Sequence, residues 1–187
     1  IHRVIARGRT LAIDGVLMAE AEQFGWPDAA RKTVNLGKHL AADDFAIHAP
    51  EGANAVKVKV IGVVENQAPT KALTAELEVR DGLVEGDQAK DVCQIALVER
   101  HRGTGAVTNA FVSGFTYKGD CAVASTVAHD SHHMIVVGTS RADMALAANR
   151  LGEVGGGITV WRDGKELALV RLPIAGLMSD APAEEVA

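Results

Sequence analysis

Two strand-like runs, Ile158–Trp161 and Glu166–Leu172, flank the dipeptide Asp163-Gly164. Asp-Gly between runs of alternating polarity favours a tight turn with positive φ at both central residues, which fixes a hairpin and its register. A hairpin with one apolar face is marginal alone in water and needs further strands or a helix to cover that face. The rest of the chain supplies them. Ala55–Val64 alternates valine and lysine and then turns continuously apolar, the pattern of a strand with one exposed and one buried end. Thr74–Val79 alternates again, and Val92–Glu99 reads as a third strand. Asn109–Phe115 reads as helical or irregular, and Cys121–Val127 as a further segment. Strands with few intervening helices predict an α+β fold, a largely antiparallel sheet with a few packed helices.

One helix is well marked. Ser140 is a favourable N-cap, with Asp143 three residues on in the weaker acidic form of the capping box. Met144, Ala147, Ala148 and Leu151 then recur at one-face helical spacing. Gly155-Gly156-Gly157 ends the helix, because glycine takes the left-handed cap conformation without steric cost. Upstream the pattern is weaker. Arg3–Ala6, Thr10–Ile13 and Val16–Met18 read as short strands around turns, the second turn being Asp14-Gly15. They cannot bury an apolar face by themselves, and are expected to be a short β fragment of a neighbouring domain. Asp28–Thr33 and Leu40–Phe45 each predict a short piece of helix, and a domain boundary falls between Ala19 and Asp44. The chain opens on Ile1-His2-Arg3-Val4 without methionine, as expected for the C-terminal piece of something longer.

Composition narrows the function classes. Hydrophobic residues make up 48% of the 187 and aromatics only 4%, so the core must be aliphatic. The formal charge of −5 and the lack of a basic cluster argue against a nucleic-acid partner. Two cysteines, Cys93 and Cys121, make no disulfide framework and fit a reducing compartment. No run approaches the roughly 18 apolar residues of a membrane span. A cytoplasmic protein without a membrane partner is expected.

Chemistry-bearing residues concentrate in His129-Asp130-Ser131-His132-His133, directly before the apolar run Met134–Val137. Polar groups at the mouth of a buried strand are costly unless paired, which makes this cluster the first candidate site. Its spacing does not favour a metal. His129 and His132 would face opposite ways on a strand and the same way on a helix, and neither HExxH nor paired CxxC occurs. Nor does it favour a nucleophile. Ser131 is adjacent in sequence to its neighbouring histidines, and no GxSxG elbow exists. The loop Glu99–Gly105 could offer backbone N–H groups and arginines to an anion, although a solvated loop is the simpler reading.

Several stretches in register resemble one known family: DFAIHAP, VIGVVENQ, VERHRGTG, VAHDSHH with IVVGT, the DMALAANRL helix, VGGGITV, the DGK hairpin and LPIAGLMSD. They are similar to the C-terminal domain of bacterial adenine deaminase, of the amidohydrolase superfamily. The resemblance implies that residues 1–41 are the end of the β-sandwich flanking a metal-binding barrel, plus linker. Residues 42–180 would be the C-terminal domain and 181–187 a disordered tail. It implies a parent enzyme that hydrolyses adenine to hypoxanthine and ammonia, with a divalent metal (Mn, Fe or Zn) held in the barrel and no cofactor in this part. Partners would be adenine, the protein's own N-terminal barrel and further copies in a homo-oligomer. A part lacking the barrel's His-x-His pair is expected to be inactive alone. The resemblance makes His129, Asp130, Ser131 and His132 an active-site-adjacent loop, with Glu99 and His101 as substrate-binding partners. Position 133 is more often asparagine in that family, which argues against an obligatory role for His133. The alternative expectation is a structural or oligomerisation domain with no direct part in catalysis.

Overall fold

A computed structural model describes residues 1–19 and 24–186. Residues 20–23, within the expected linker, and 187, the end of the expected tail, lie outside the described residues. The chain opens with three short strands, β1 (Arg3–Ala6), β2 (Arg9–Ile13) and β3 (Val16–Leu17), which form an antiparallel sheet of their own. Val4, Ile5, Val16 and Leu17 are exposed there, as expected of strands that cannot bury a face by themselves. Single 3-10 turns follow at Asp28–Ala30 and Ala42–Phe45, where short helices were expected.

The main sheet is built from β4 (Ala55–Gly62), β5 (Lys71–Arg80), β6 (Leu83–Val84), β7 (Val92–Val98), β8 (Val107–Ser113), β9 (Cys121–Ser125) and β10 (Met134–Gly138). Helix α1 (Arg141–Val154) comes next, then the hairpin β11 (Gly157–Arg162) and β12 (Lys165–Arg171). A short terminal helix, α2, spans Ala183–Val186. The nine strands lie in the order β12-β11-β9-β10-β7-β8-β4-β5-β6. Neighbours are antiparallel except β4 and β8, which pair in parallel through Val60–Phe111 to Gly62–Ser113. The architecture is α+β with a mostly antiparallel sheet.

One expectation is corrected. Of Asn109–Phe115, expected to be helical or irregular, only Gly114 and Phe115 are irregular: Val107–Ser113 is strand β8, central to the sheet. Its inner polar residues hid the pattern. Asn109 donates to the Asp44 carbonyl and accepts from the Gln94 amide, so the strand carries polar side chains at no unpaired cost.

Helix α1 forms as its signals require. The Ser140 hydroxyl accepts from the Asp143 N–H at 3.2 Å, and Gly155 closes the helix at φ +82°. Asp143 in turn accepts from the Gly164 N–H at 2.8 Å, tying the first helical turn to the Asp163-Gly164 hairpin. Met144, Ala147, Ala148 and Leu151 are fully buried against Ala96, Ala122, Ala124, Met134 and Val136 of the sheet. Truncating one of the larger of these side chains would cost about 2–5 kcal/mol. Val34, Leu36 and Leu40, from an unpatterned stretch, join the same core. Asn149 of α1 holds Leu40 by accepting from its N–H and donating to its carbonyl, at 2.9 and 2.8 Å. On the opposite face Phe115 and Tyr117 fold over Cys93, Val112 and Val137.

Candidate functional site

The histidine cluster occupies the β9–β10 connection, at the edge of the helix-covered core. Neither helix nor strand holds it. His132 N–H bonds back to the Ala128 carbonyl at 2.8 Å and Ser131 N–H to His129 at 3.1 Å, so the chain doubles back in one tight turn. Asp130 and His132 both take positive φ, +74° and +48°. Left-handed conformations cost a non-glycine residue roughly 1–2 kcal/mol. The turn therefore needs anchoring from outside. Its tip is in solvent: His129 and Asp130, paired at 3.1 Å, have side chains 97% and 89% exposed. His132 and His133 lie half-buried, each with a buried Nδ1 that has no hydrogen-bond partner.

A second loop, between β7 and β8, packs beside it. Glu99 turns back on its own loop and accepts from the N–H groups of His101, Arg102 and Thr104 and from the Thr104 hydroxyl. Burial works to raise its pKa, but these bonds outweigh it and hold the carboxyl at about 2. The His101 Nε2 lies 3.0 Å from the Ser131 carbonyl, and the His101 and His133 rings stack with centroids 4.9 Å apart. Thus His101 reaches the histidine loop, whereas Glu99 builds its own loop and touches none of residues 129–132 among the described hydrogen bonds.

The residue that joins these parts is Arg100, which sequence reasoning passed over as a loop cation. It is only 1% exposed. Its Nε donates to the His132 carbonyl, one terminal nitrogen to Ala175 at 3.2 Å and the other to Thr33 at a long 3.5 Å. Burial lowers its pKa from the ordinary arginine value, though a guanidinium stays charged in proteins. Gly176 leaves room for it: a Cβ there would come within 2.8 Å of the guanidinium, and the φ of +71° suits glycine. A signal was available. Ala96 and Val98 face the helix-side core, so parity along β7 puts Arg100 on that side too.

Chemically, this end of the sheet presents imidazoles and a carboxylate on a braced turn rather than a nucleophile with its base. Ser131 Oγ accepts from the His133 N–H at 3.4 Å, with no imidazole nitrogen bonded to it. Burial pushes the Cys93 thiol up to about 12, which leaves it protonated and inert. Among the described residues no three His, Cys, Asp or Glu side chains converge to hold a metal, so the residues here do not fit one. A polar cleft of about 440 Å³ lies at the other end of β10, between Gln94, Gly138–Arg141, Arg80 and Glu85. No predicted site residue lines it. Among the described residues no helix is long and apolar enough to cross a membrane.

Residues 67–187 match the family model described as the adenine deaminase C-terminal domain. The chain belongs to this family. Across all 187 residues it is 72% identical to an adenine deaminase of Ruegeria sp. (strain TM1040), and over 188 aligned positions 70% identical to one of Ruegeria pomeroyi. A more distant adenine deaminase, of Moorella thermoacetica, is 46% identical over the same 187 residues. The whole chain is covered each time, yet it spans only 31% of the length of these curated relatives. The family resemblance expected from the motifs is thereby established.

Proposed function

We propose that the chain is the C-terminal part of an enzyme that hydrolyses adenine to hypoxanthine and ammonia, and that its histidine loop closes against the catalytic barrel. The supporting observation is the braced turn of residues 128–132. A fully exposed His129–Asp130 pair at its tip and unpartnered Nδ1 atoms of His132 and His133 at its base leave hydrogen-bonding capacity unused. Buried polar atoms without partners are costly and call for a group supplied from elsewhere. In this reading His129, Asp130, Ser131 and His132 meet the substrate or the groups around it. His101 steadies the loop through the Ser131 carbonyl, and Glu99 shapes the loop that carries His101. The divalent metal implied for the family would be held by the upstream barrel, not by residues of this chain.

The test replaces His129 and His132 by alanine in the full-length enzyme. A fall in kcat/KM of about tenfold or more, with the melting temperature nearly unchanged, is the expected result, the magnitude being that of a modest lost polar contact. Unchanged kcat/KM with only a lowered melting temperature would reduce the loop to a structural element.

A further inference from the structure

The cleft at the other end of β10 is lined by groups of three different kinds. Its most buried polar group is Gln94, only 7% exposed, on the face of β7 that also carries Ala96 and Val98. The Gln94 amide nitrogen donates to the Phe45 carbonyl and to Asn109 Oδ1, and Asn109 donates in turn to the Asp44 carbonyl. Both Gln94 N–H groups are thereby spent, and this chain of donors fixes which way each amide points. Oε1 is left without a donor among the described residues and is not sealed in, so it is the acceptor that Gln94 offers to the cleft. A buried carbonyl oxygen of this kind calls for a donor from elsewhere.

A second part of the lining is apolar, formed by Ile47, Leu83 and Val92. The third is the first turn of α1, a helix of 14 residues. The N–H groups of Arg141 and Ala142 have no acceptor within the helix and stand at the positive end of its dipole. Asp143 of the same turn does not line the cleft and is engaged by the Gly164 N–H. Arg141 sits loosely, 3.8 Å from Glu85, and Arg80 pairs with Glu78 in solvent. Glu85 and Asp120 add carboxylates. The loop that carries Asp120 is pinned. Gly119 N–H donates to Gln88 Oε1 at 3.0 Å, and Thr139 Oγ1 donates to the Gly119 carbonyl at 2.7 Å.

We infer that this cleft binds a nucleoside monophosphate whose base carries an amino group. The flat base rests against Ile47, Leu83 and Val92, and its amino group donates to Gln94 Oε1. The phosphate takes the N–H groups of Arg141 and Ala142, as anions do at helix N-termini. The Arg141 guanidinium exchanges its loose contact with Glu85 for the phosphate, a stronger charged hydrogen bond. Glu85 is then free to accept from a ribose hydroxyl, the use to which acidic side chains are put in dinucleotide sites. A volume of about 440 Å³ lies in the ordinary range for small ligands, about 300–1,000 Å³. A simpler organic phosphate would leave the apolar lining and the Gln94 acceptor unused. None of these residues belongs to the histidine loop, so this inference stands or falls independently of the catalytic reading.

The experiment titrates adenosine monophosphate (AMP) into the full-length protein by calorimetry. Two variants accompany the native protein, Arg141→Ala and Ala142→Trp, the second filling the cleft from an exposed position. Circular dichroism confirms their folding. AMP should bind the native protein saturably, and either variant should weaken it about tenfold or more. Purine riboside monophosphate keeps the ring and phosphate but brings no amino donor to Gln94. It should bind the native protein about tenfold more weakly than AMP, with ribose 5-phosphate and inorganic phosphate weaker still. No saturable binding of AMP at millimolar concentration, or binding that both folded variants retain in full, overturns the inference. So does ribose 5-phosphate or purine riboside monophosphate binding as tightly as AMP. Hydrogen exchange on the native protein decides the matter even if neither variant folds. AMP should slow amide exchange across residues 138–142, and slowing confined to other segments overturns the inference.

Discussion

The two loops at the histidine end of the sheet solve the same problem in opposite ways. The Glu99–Gly105 loop spends its carboxylate on itself, with three backbone N–H groups and a hydroxyl gathered onto Glu99. The 128–132 turn keeps its carboxylate outside, paired only with His129 in solvent, and is held from behind by Arg100. The first is a frame, complete without help. The second is a tip whose side chains are left for something else, and whose left-handed residues persist because the frame's own strand braces them. The difference separates residues that support from residues that are presented.

The sharpest way to break this arrangement is Arg100→Met. It removes the donor from His132, Thr33 and Ala175 together and leaves buried carbonyls unpaired. A loss of about 3 kcal/mol or more is expected, since each buried carbonyl left without its donor costs about 1–3 kcal/mol, measured by denaturant unfolding of the full-length protein. Arg100→Lys should recover only part, since an ammonium cannot reproduce the fork. A loss below about 1 kcal/mol, the worth of an ordinary hydrogen bond, would show that the carbonyls find other donors.

Next comes Glu99→Gln, expected to cost about 1–3 kcal/mol through weakened charged hydrogen bonds. The sign with pH follows from its pKa, about 2 when folded against an ordinary 4.5. The carboxylate's contribution is complete above pH 4.5 and is lost as the pH falls from there toward 2. Thermal melts of native and variant proteins should therefore converge across that window. Melting curves that stay parallel would mean Glu99 is not held in its charged form.

Smaller again is His101→Ala, which removes the link to the Ser131 carbonyl. About 0.5–1.5 kcal/mol should be lost, with faster amide exchange confined to the 128–132 turn. Exchange that rises equally in both loops would contradict their separate roles. The mildest change is Asp130→Gly, which suits a φ of +74°. Stability should stay within about 1 kcal/mol, because relief of strain and the greater freedom of unfolded glycine oppose each other. Activity of the full-length enzyme should nonetheless fall if the presented carboxylate matters, giving a readout free of folding effects.

What could be read in advance follows from how local each signal is. The Asp163-Gly164 hairpin and the Ser140-capped helix were legible because turn, cap and apolar face lie within a few residues of one another. Strand β8 was not, since its Asn109 is satisfied by Asp44, distant in sequence. Val34, Leu36 and Leu40 carry no period, and only the tertiary core shows their use. At the candidate site, the histidine cluster stood out by composition, and Glu99 and His101 were expected beside it only through the resemblance; His101 reaches the Ser131 carbonyl, whereas Glu99 is turned onto its own loop. Arg100 did not stand out, because the carbonyls that bury it come from Thr33, His132 and Ala175, brought together only by folding.

The lone parallel pairing has a practical consequence for anyone cutting this protein into pieces. Strand β4 is the interior plank between β8 and β5, while the family match begins only at residue 67. A truncation starting there would open a slot in mid-sheet, detach the β5–β6 hairpin from its neighbours and bare two raw edges to aggregation.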